Sequence, residues 1–265
     1  MPLALAGGLR VNYTRAGTGP PLLLLHGWGN SSLTLEPLAR ALALVRDVIV
    51  PDLPGFGRTE VPKEPAGWDT AQHSAFIAEF LDRLKLDRAD VFGHSHGGRI
   101  ASYLAATAPE RVERLVLCGS AGLRPRLSPG ARLRRMQRRL LLRGAHRTAA
   151  AGLLGKDGPA WARALSEHYA SADYRAAGAM RPTMARVLAD DLEPLLPRIT
   201  APALLIWGAL DAESPLELGE RSVRLIPGAR LIVVPNAGHH VFQDCPELVA
   251  AELRAFLHPA GVGAV

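Results

Sequence analysis

The chain has 265 residues, 48 % of them hydrophobic and 21 % charged, with a net charge of +6 and two cysteines. That length buries a substantial core, two cysteines are too few for a disulfide framework, and no Cys/His cluster has the spacing of a metal site. No run approaches the roughly 18–20 apolar residues that span a bilayer, and residues 1–10 carry no charged leader with an apolar core, so the expectation is a cytoplasmic, reduced protein without metal or cofactor.

In chain order, the apolar run 22–25 reads as a first strand, and Ser31 or Ser32 as the cap of a helix to about Leu44. A strand follows at 48–50. Asp69 or Thr70 caps a second helix to about Leu84, with Phe76, Ile77, Phe80, Leu81 and Leu84 on one face. Further strands read at 89–92, 115–117, 203–206 and 231–234. Pro246 opens a final helix carrying Leu248, Val249, Leu253, Phe256 and Leu257. Short apolar runs alternating with helical patterns predict an α/β fold: a mostly parallel central sheet with helices on both faces.

The segment after the strand at 89–92 reads Gly93-His94-Ser95-His96-Gly97-Gly98, and a helical pattern starts directly behind it. Glycines on either side of a serine suit a turn too tight for side chains. They leave Ser95 at the tip with its hydroxyl exposed, beside the amide of His96 and the positive end of a helix. A Gly-x-Ser-x-Gly match alone also fits an ordinary βα turn. Serine needs a base, and the base needs a carboxylate that fixes its tautomer. Asp211 follows the strand at 203–206 and His239 follows the strand at 231–234, in the order nucleophile, acid, histidine.

These positions resemble the α/β-hydrolase superfamily, in its serine esterase and C–C hydrolase branch. Leu22-Leu23-Leu24-Leu25-His26-Gly27-Trp28-Gly29 is similar to that family's strand and oxyanion loop, and Asp52-Leu53-Pro54-Gly55-Phe56-Gly57-Arg58-Thr59 to its Asp-x-Pro-Gly-x-Gly loop. Trp207-Gly208-Ala209-Leu210-Asp211 and Gly238-His239 are similar to its acid and histidine loops. The resemblance implies a hydrolase core at 1–121 and 198–265 and a helical cap inserted at 122–197. It also implies Ser95, Asp211 and His239 as a triad, the backbone N–H groups of Trp28 and His96 as an oxyanion hole, and Trp28, His96, Phe56 and His240 as substrate contacts. Serine at 95 speaks against the haloalkane dehalogenase and epoxide hydrolase branches, whose nucleophile is a carboxylate. Ser120, past the preceding strand, leaves the alternative acid location empty.

Blander roles are assigned elsewhere. Asp52 and His26 read as structural hydrogen-bonding groups and His94 as packing beside the elbow. His73, His146, His168 and His258 read as surface or packing residues, and Asp190 and Asp191 as solvated or helix-end charges within the insertion.

Charge is the second informative feature. From Arg114 to Lys156 there are ten arginines, one lysine and no acidic residue, a local balance of +11 that leaves −5 for the rest of the chain. Within this stretch residues 130–143 read as an amphipathic helix, with Leu133, Met136, Leu140 and Leu141 on one face and Arg132, Arg134, Arg135, Arg138, Arg139 and Arg143 around the rest. Such a patch suits a solvated face, an acidic substrate or partner gripped by Arg132, Arg135, Arg138 and Arg139, or an anionic membrane surface. Nucleic acid fits least, because no interleaved aromatics accompany the charge. The loops at 26–29 and 52–58 also resemble pimeloyl-acyl-carrier-protein methyl ester esterases, whose arginine-bearing cap holds an acidic carrier protein, although His96 departs from the leucine found there. The expected activity is ester hydrolysis of a small-molecule substrate through an acyl-enzyme. The alternatives are C–C bond hydrolysis of a ring-cleavage diketone, a carrier-protein methyl ester esterase, an acyltransferase or perhydrolase, and a ligand receptor that keeps the fold.

Overall fold

A computed structural model of the chain describes residues 3–126, 128–168 and 172–258. Among the described residues there are eight strands: β1 (Leu3–Ala6), β2 (Leu9–Ala16), β3 (Pro21–Leu25), β4 (Asp47–Pro51), β5 (Ala89–His94), β6 (Val112–Cys118), β7 (Ala203–Gly208) and β8 (Arg230–Val234). They form one sheet in the order β1-β2-β4-β3-β5-β6-β7-β8. The β1–β2 and β2–β4 pairs are antiparallel, and the other pairs are parallel. The fold is therefore α/β, with a mostly parallel sheet flanked by helices.

All six expected strands are present, and β1 and β2 add a hairpin that the apolar runs do not reveal. Arg10, Asn12 and Thr14 interrupt β2, so it alternates instead of running apolar. Ala6 pairs with Leu9 across Gly7 and Gly8, which take φ 54° and 70°. Positive φ at both central residues is the signature of a tight two-residue hairpin turn, and a Gly-Gly pair before an alternating stretch was its sequence signal.

The helices are α1 (Glu36–Leu42), α2 (Thr70–Arg83), α3 (His96–Thr107), α4 (Pro129–Ala150), α5 (Gly158–His168), α6 (Ala172–Ala176), α7 (Arg181–Ala189), α8 (Leu216–Leu225), α9 (Val241–Asp244) and α10 (Pro246–Leu257). Residues alternate between the sheet's two faces. Leu23, Leu25, Val91, Leu115 and Leu117 pack with Phe76, Phe80, Ile100 and Leu104 of α2 and α3. Leu22, Leu24, Phe92, Val116 and Ile206 pack with Leu38, Leu42, Val249 and Leu253 of α1 and α10. Strands buried on both faces read as unbroken apolar runs, which is why 22–25 and 203–206 were visible in the sequence.

One boundary and one side chain differ from expectation. The helix predicted from Ser31 or Ser32 begins there as a 3-10 turn over Ser32–Leu35, with Ser31 in the cap position but making no side-chain capping bond. It becomes α-helical only at Glu36, because Pro37 is tolerated only in a first turn. By contrast, Asp69 caps α2 as expected: its carboxylate accepts the Gln72 N–H, and the Gln72 side chain accepts the Asp69 N–H. Leu248 of α10 is exposed and does not join the buried face of that helix.

The chain divides into two compact units, Met1–Leu123 with Pro182–Val265, and Arg124–Arg181. Residues 182–197 thus group with the sheet, and hydrogen bonds within that unit explain why. Thr183 Oγ1 accepts the Trp68 N–H at 3.0 Å, and Arg186 donates to the Gly67 carbonyl at 2.8 Å. The Asp190 carboxylate accepts from the N–H of Thr70 at 3.0 Å and from its hydroxyl at 2.6 Å. Asp190 is therefore a cap for α2 and not a solvated charge. In the second unit α4 packs on α5 through Ala145, Ala149 and Ala162, with Leu165 against them. Arg181 pairs there with Glu167 at 2.5 Å.

Candidate active site

Ser95 is the whole connection between β5 and α3. Its backbone sits at φ 50°, ψ −113°. Among the described residues only Ser95 and Lys85 are non-glycine positions with positive φ. A conformation of this kind costs about 1–3 kcal/mol and persists only where its surroundings dictate it. Here the Ser95 N–H donates to the Cys118 carbonyl at 3.1 Å, and the Ser95 carbonyl accepts from the N–H groups of Arg99 and Ala121, each at 3.0 Å. Close backbone approach explains the flanking glycines. A Cβ on Gly93 would lie 2.5 Å from the Gly97 carbonyl oxygen, and one on Gly97 would lie 2.2 Å from that of Leu25.

Asp211 stands in the turn after β7, almost wholly buried. Its Oδ1 accepts the N–H groups of Glu213 at 2.9 Å and Ser214 at 2.8 Å. Its Oδ2 lies 2.8 Å from His239 Nδ1. An ionised carboxylate only accepts, so the Nδ1 carries the hydrogen and Nε2 is left as the basic nitrogen. The His239 carbonyl is itself held, at 3.0 Å, by the Nε2–H of His94. His94 immediately precedes Ser95, so this bond ties the histidine loop to the elbow. Gly119 closes the third side: a Cβ there would lie 3.1 Å from Asp211 Oδ2 and 3.2 Å from His239 Nδ1. The carboxyl ends of β5, β6, β7 and β8 thus converge on one place, where ligands bind in open α/β sheets.

Glu213 was not anticipated. Its Oε2 lies 3.6 Å from His239 Nε2, with 65 % of the side chain exposed. The signal was its position two residues beyond Asp211 on the same loop.

The remaining aromatic and histidine residues form two groups. Trp28, Phe56 and His96 come together, with ring centroids 4.9 Å apart for Trp28–Phe56 and 5.3 Å for Trp28–His96, all edge-on. His73, expected to be an isolated packing residue, is fully buried with its ring 5.1 Å from that of His96. His240 belongs to the other group, 4.9 Å from His94 and 5.4 Å from His239. Among the described residues no three His, Cys, Asp or Glu side chains are placed to hold a metal ion.

Burial favours the neutral form of His26, His73, His94 and His96. It lowers His26 to about 4, and it lowers His94, beside His239 and His240, to about 3. His96 and His73 are lowered for the same reason. His26 is structural: its Nε2 accepts the Leu53 N–H at 2.9 Å. Asp52 is structural as well. Burial alone would raise its carboxyl, but bonds from the N–H groups of Ser32 and Arg58 outweigh that and hold it below the usual range. Asn12 donates to it at 2.8 Å.

The mostly parallel sheet with helices on both faces is that of a known group of proteins. A family model described as alpha/beta hydrolase fold matches residues 20–186, and one described as TAP-like protein matches residues 163–263. Haloalkane dehalogenase 2 of Mycobacterium tuberculosis (strain ATCC 25618 / H37Rv) is 31 % identical over 268 residues, covering 92 % of this chain and 90 % of that protein. The 2-hydroxymuconate semialdehyde hydrolase of Pseudomonas sp. (strain CF600) is 40 % identical over 126 residues, covering 45 % of this chain and 43 % of that protein. The solved enol-lactonase of Burkholderia xenovorans LB400 superposes with a TM-score of 0.72 at 26 % identity, over 97 % of this chain and 99 % of that one. A model match across well over half the chain, carried by the same parallel sheet, assigns the protein: it belongs to the alpha/beta hydrolase family.

Proposed function

We propose that the chain is a serine hydrolase that cleaves carboxylic esters. The observation that carries this reading is the positive-φ backbone of Ser95 next to His94, whose Nε2–H holds the carbonyl of His239, the partner of Asp211. In the first half-reaction His239 Nε2 takes the hydroxyl proton as Ser95 Oγ bonds to the acyl carbon. The imidazolium is stabilised by Asp211 and returns the proton to the departing alkoxide, leaving an acyl-enzyme. Water, deprotonated by the same nitrogen, then releases the acid and restores Ser95.

The N–H groups of Trp28 and His96 are assigned to the developing oxyanion. Amides in the first turn of a helix such as α3 lack acceptors within the helix, and the helix dipole favours negative charge there. Each such donor contributes ~2.7–4 kcal/mol in the transition state. The side chains of Trp28, Phe56 and His96 are assigned to one side of the substrate and His240 to the other. Free thiols at Cys118 and Cys245 suit a reducing, cytoplasmic setting.

A second reading, C–C bond hydrolysis with the same triad, is favoured by the 40 % identity to a 2-hydroxymuconate semialdehyde hydrolase. Dehalogenation is disfavoured by elementary chemistry despite the 31 % identity to a haloalkane dehalogenase. Displacement of halide by Ser95 would leave an alkyl ether that water cannot release, whereas a carboxylate would leave a hydrolysable ester.

The test compares p-nitrophenyl esters of increasing acyl length with a vinylogous diketone, using the wild type and Ser95→Ala. Ester turnover that falls by on the order of 10⁴-fold or more in the variant supports the proposal. Turnover of the diketone alone moves the assignment to the second reading, and ester turnover unchanged by Ser95→Ala refutes both.

A further inference from the structure

Helix α4 has two apolar sides, and among the described residues only one of them packs within its own unit. Ala145 and Ala149 pack on α5. Leu133, Met136, Leu140 and Leu141 fall instead within one arc of about 140° at 100° per residue. These four side chains are 50 %, 54 %, 59 % and 48 % exposed. Arginines border that arc on both edges: Arg132 and Arg143 beside Met136, and Arg134 beside Leu141, with Arg138 and Arg139 further round. Arg135 also lies in this helix, and its side chain is outside the described residues. Nothing acidic occurs between Arg114 and Lys156.

A helix face that merely meets water has no use for three large aliphatic side chains and a methionine in register. A nucleic acid or an acidic protein would match the arginines but not the apolar arc between them. A bilayer surface matches both, because it presents hydrocarbon directly beneath a plane of phosphates. Arginine on the border of an inserted face keeps its stem in the apolar layer and its guanidinium among the headgroups. Although 22 residues long, α4 is too charged to cross, and no helix among the described residues is long and apolar enough to do so. The same unit also exposes Leu153, Leu154 and Trp161, and tryptophan favours the headgroup boundary.

We propose that α4 docks the protein on an anionic lipid bilayer, with Leu133, Met136, Leu140 and Leu141 seated at the acyl boundary and the bordering arginines on headgroup phosphates. This stands apart from the ester-hydrolase reading, and its test does not depend on turnover.

The experiment is flotation of the full chain with vesicles of phosphatidylcholine alone, or containing about 30 % phosphatidylglycerol, at low salt and at about 0.5 M NaCl. The protein is expected to float with the anionic vesicles only, and less so in high salt. Leu133→Gln with Leu140→Gln keeps every charge and should weaken flotation by about tenfold or more. Arg132→Gln with Arg134→Gln and Arg143→Gln should remove the salt-sensitive part. Unchanged circular dichroism and thermal midpoint show that the variants fold. No flotation of the wild type with anionic vesicles overturns the proposal. Flotation that ignores the leucine substitutions overturns it too, since charge alone then explains the binding. A wild-type dimer that the leucine variant converts to monomer assigns the arc to a second copy instead.

Discussion

The two units of this chain spend their residues differently. In the sheet-bearing unit, backbone geometry positions the chemistry: a serine forced to positive φ, glycines that cannot accept a Cβ, and an acid–histidine pair closed at 2.8 Å. In the unit from Arg124 to Arg181, the packed interior is a short seam of alanines with Leu165, while leucine, methionine and arginine side chains face outward. The contrast separates a candidate site fixed by close backbone contacts from a surface whose consequences depend on what it meets.

That contrast can be pressed from the largest effect to the smallest. Asp211→Asn keeps the shape of the site but inverts the hydrogen-bond role that fixes the His239 tautomer, so ester turnover should fall on the order of 10⁴-fold with the fold intact. A loss of less than about tenfold, read from kcat, would mean that Asp211 does not orient His239.

Acid should weaken the sheet-bearing unit next most. Burial holds His26, His73, His94 and His96 below their ordinary value of 6.5, so the folded chain keeps them neutral while the unfolded chain protonates them. Their stability contribution is complete above 6.5 and is lost as pH falls, at ~1.4 kcal/mol per pH unit for each proton bound only by the unfolded chain. Asp90 works the other way. Burial raises it to about 6 despite Arg46 at 2.8 Å, so its contribution is present below its ordinary 3.8 and lost as pH rises through about 6. Four imidazoles outweigh one carboxyl, and the thermal midpoint should drop steeply below about pH 6.5. A midpoint that stays flat down to about pH 5 would show that these histidines are not neutral in the folded state.

Gly97→Ala places a Cβ 2.2 Å from the Leu25 carbonyl oxygen, a backbone atom that cannot swing away. We expect a loss of ~1–3 kcal/mol or more by denaturant unfolding, with turnover reduced as the elbow shifts. Arg138→Gln or Arg139→Gln in α4 should change stability by less than about 0.5 kcal/mol, since both side chains are exposed. A larger loss would mean that this helix is held by its charges.

Much of this was legible from residue order alone. Strands buried on both faces announce themselves as apolar runs, and a serine framed by glycines between a strand and a helix announces the elbow. Asp211 and His239 were readable because each follows such a strand. The parts that were missed lack a local signal. The β1–β2 hairpin alternates polar and apolar residues, and the change from 3-10 to α-helix at Glu36 depends on one proline. Asp190 caps a helix that begins 120 positions earlier in the chain, a pairing that no window of sequence contains. The approach of His73 to His96 is likewise tertiary. Glu213 was close to hand in the sequence, but its 3.6 Å approach to His239 Nε2 depends on how the turn after β7 is folded.

The most direct measurement is covalent labelling of the folded protein with an alkyl fluorophosphonate, followed by intact mass and peptide mapping. A single adduct is expected, on Ser95, that forms in the wild type and is lost in a folded His239→Ala variant. An adduct on a different residue, or none on a folded wild type, would contradict Ser95 as an activated nucleophile.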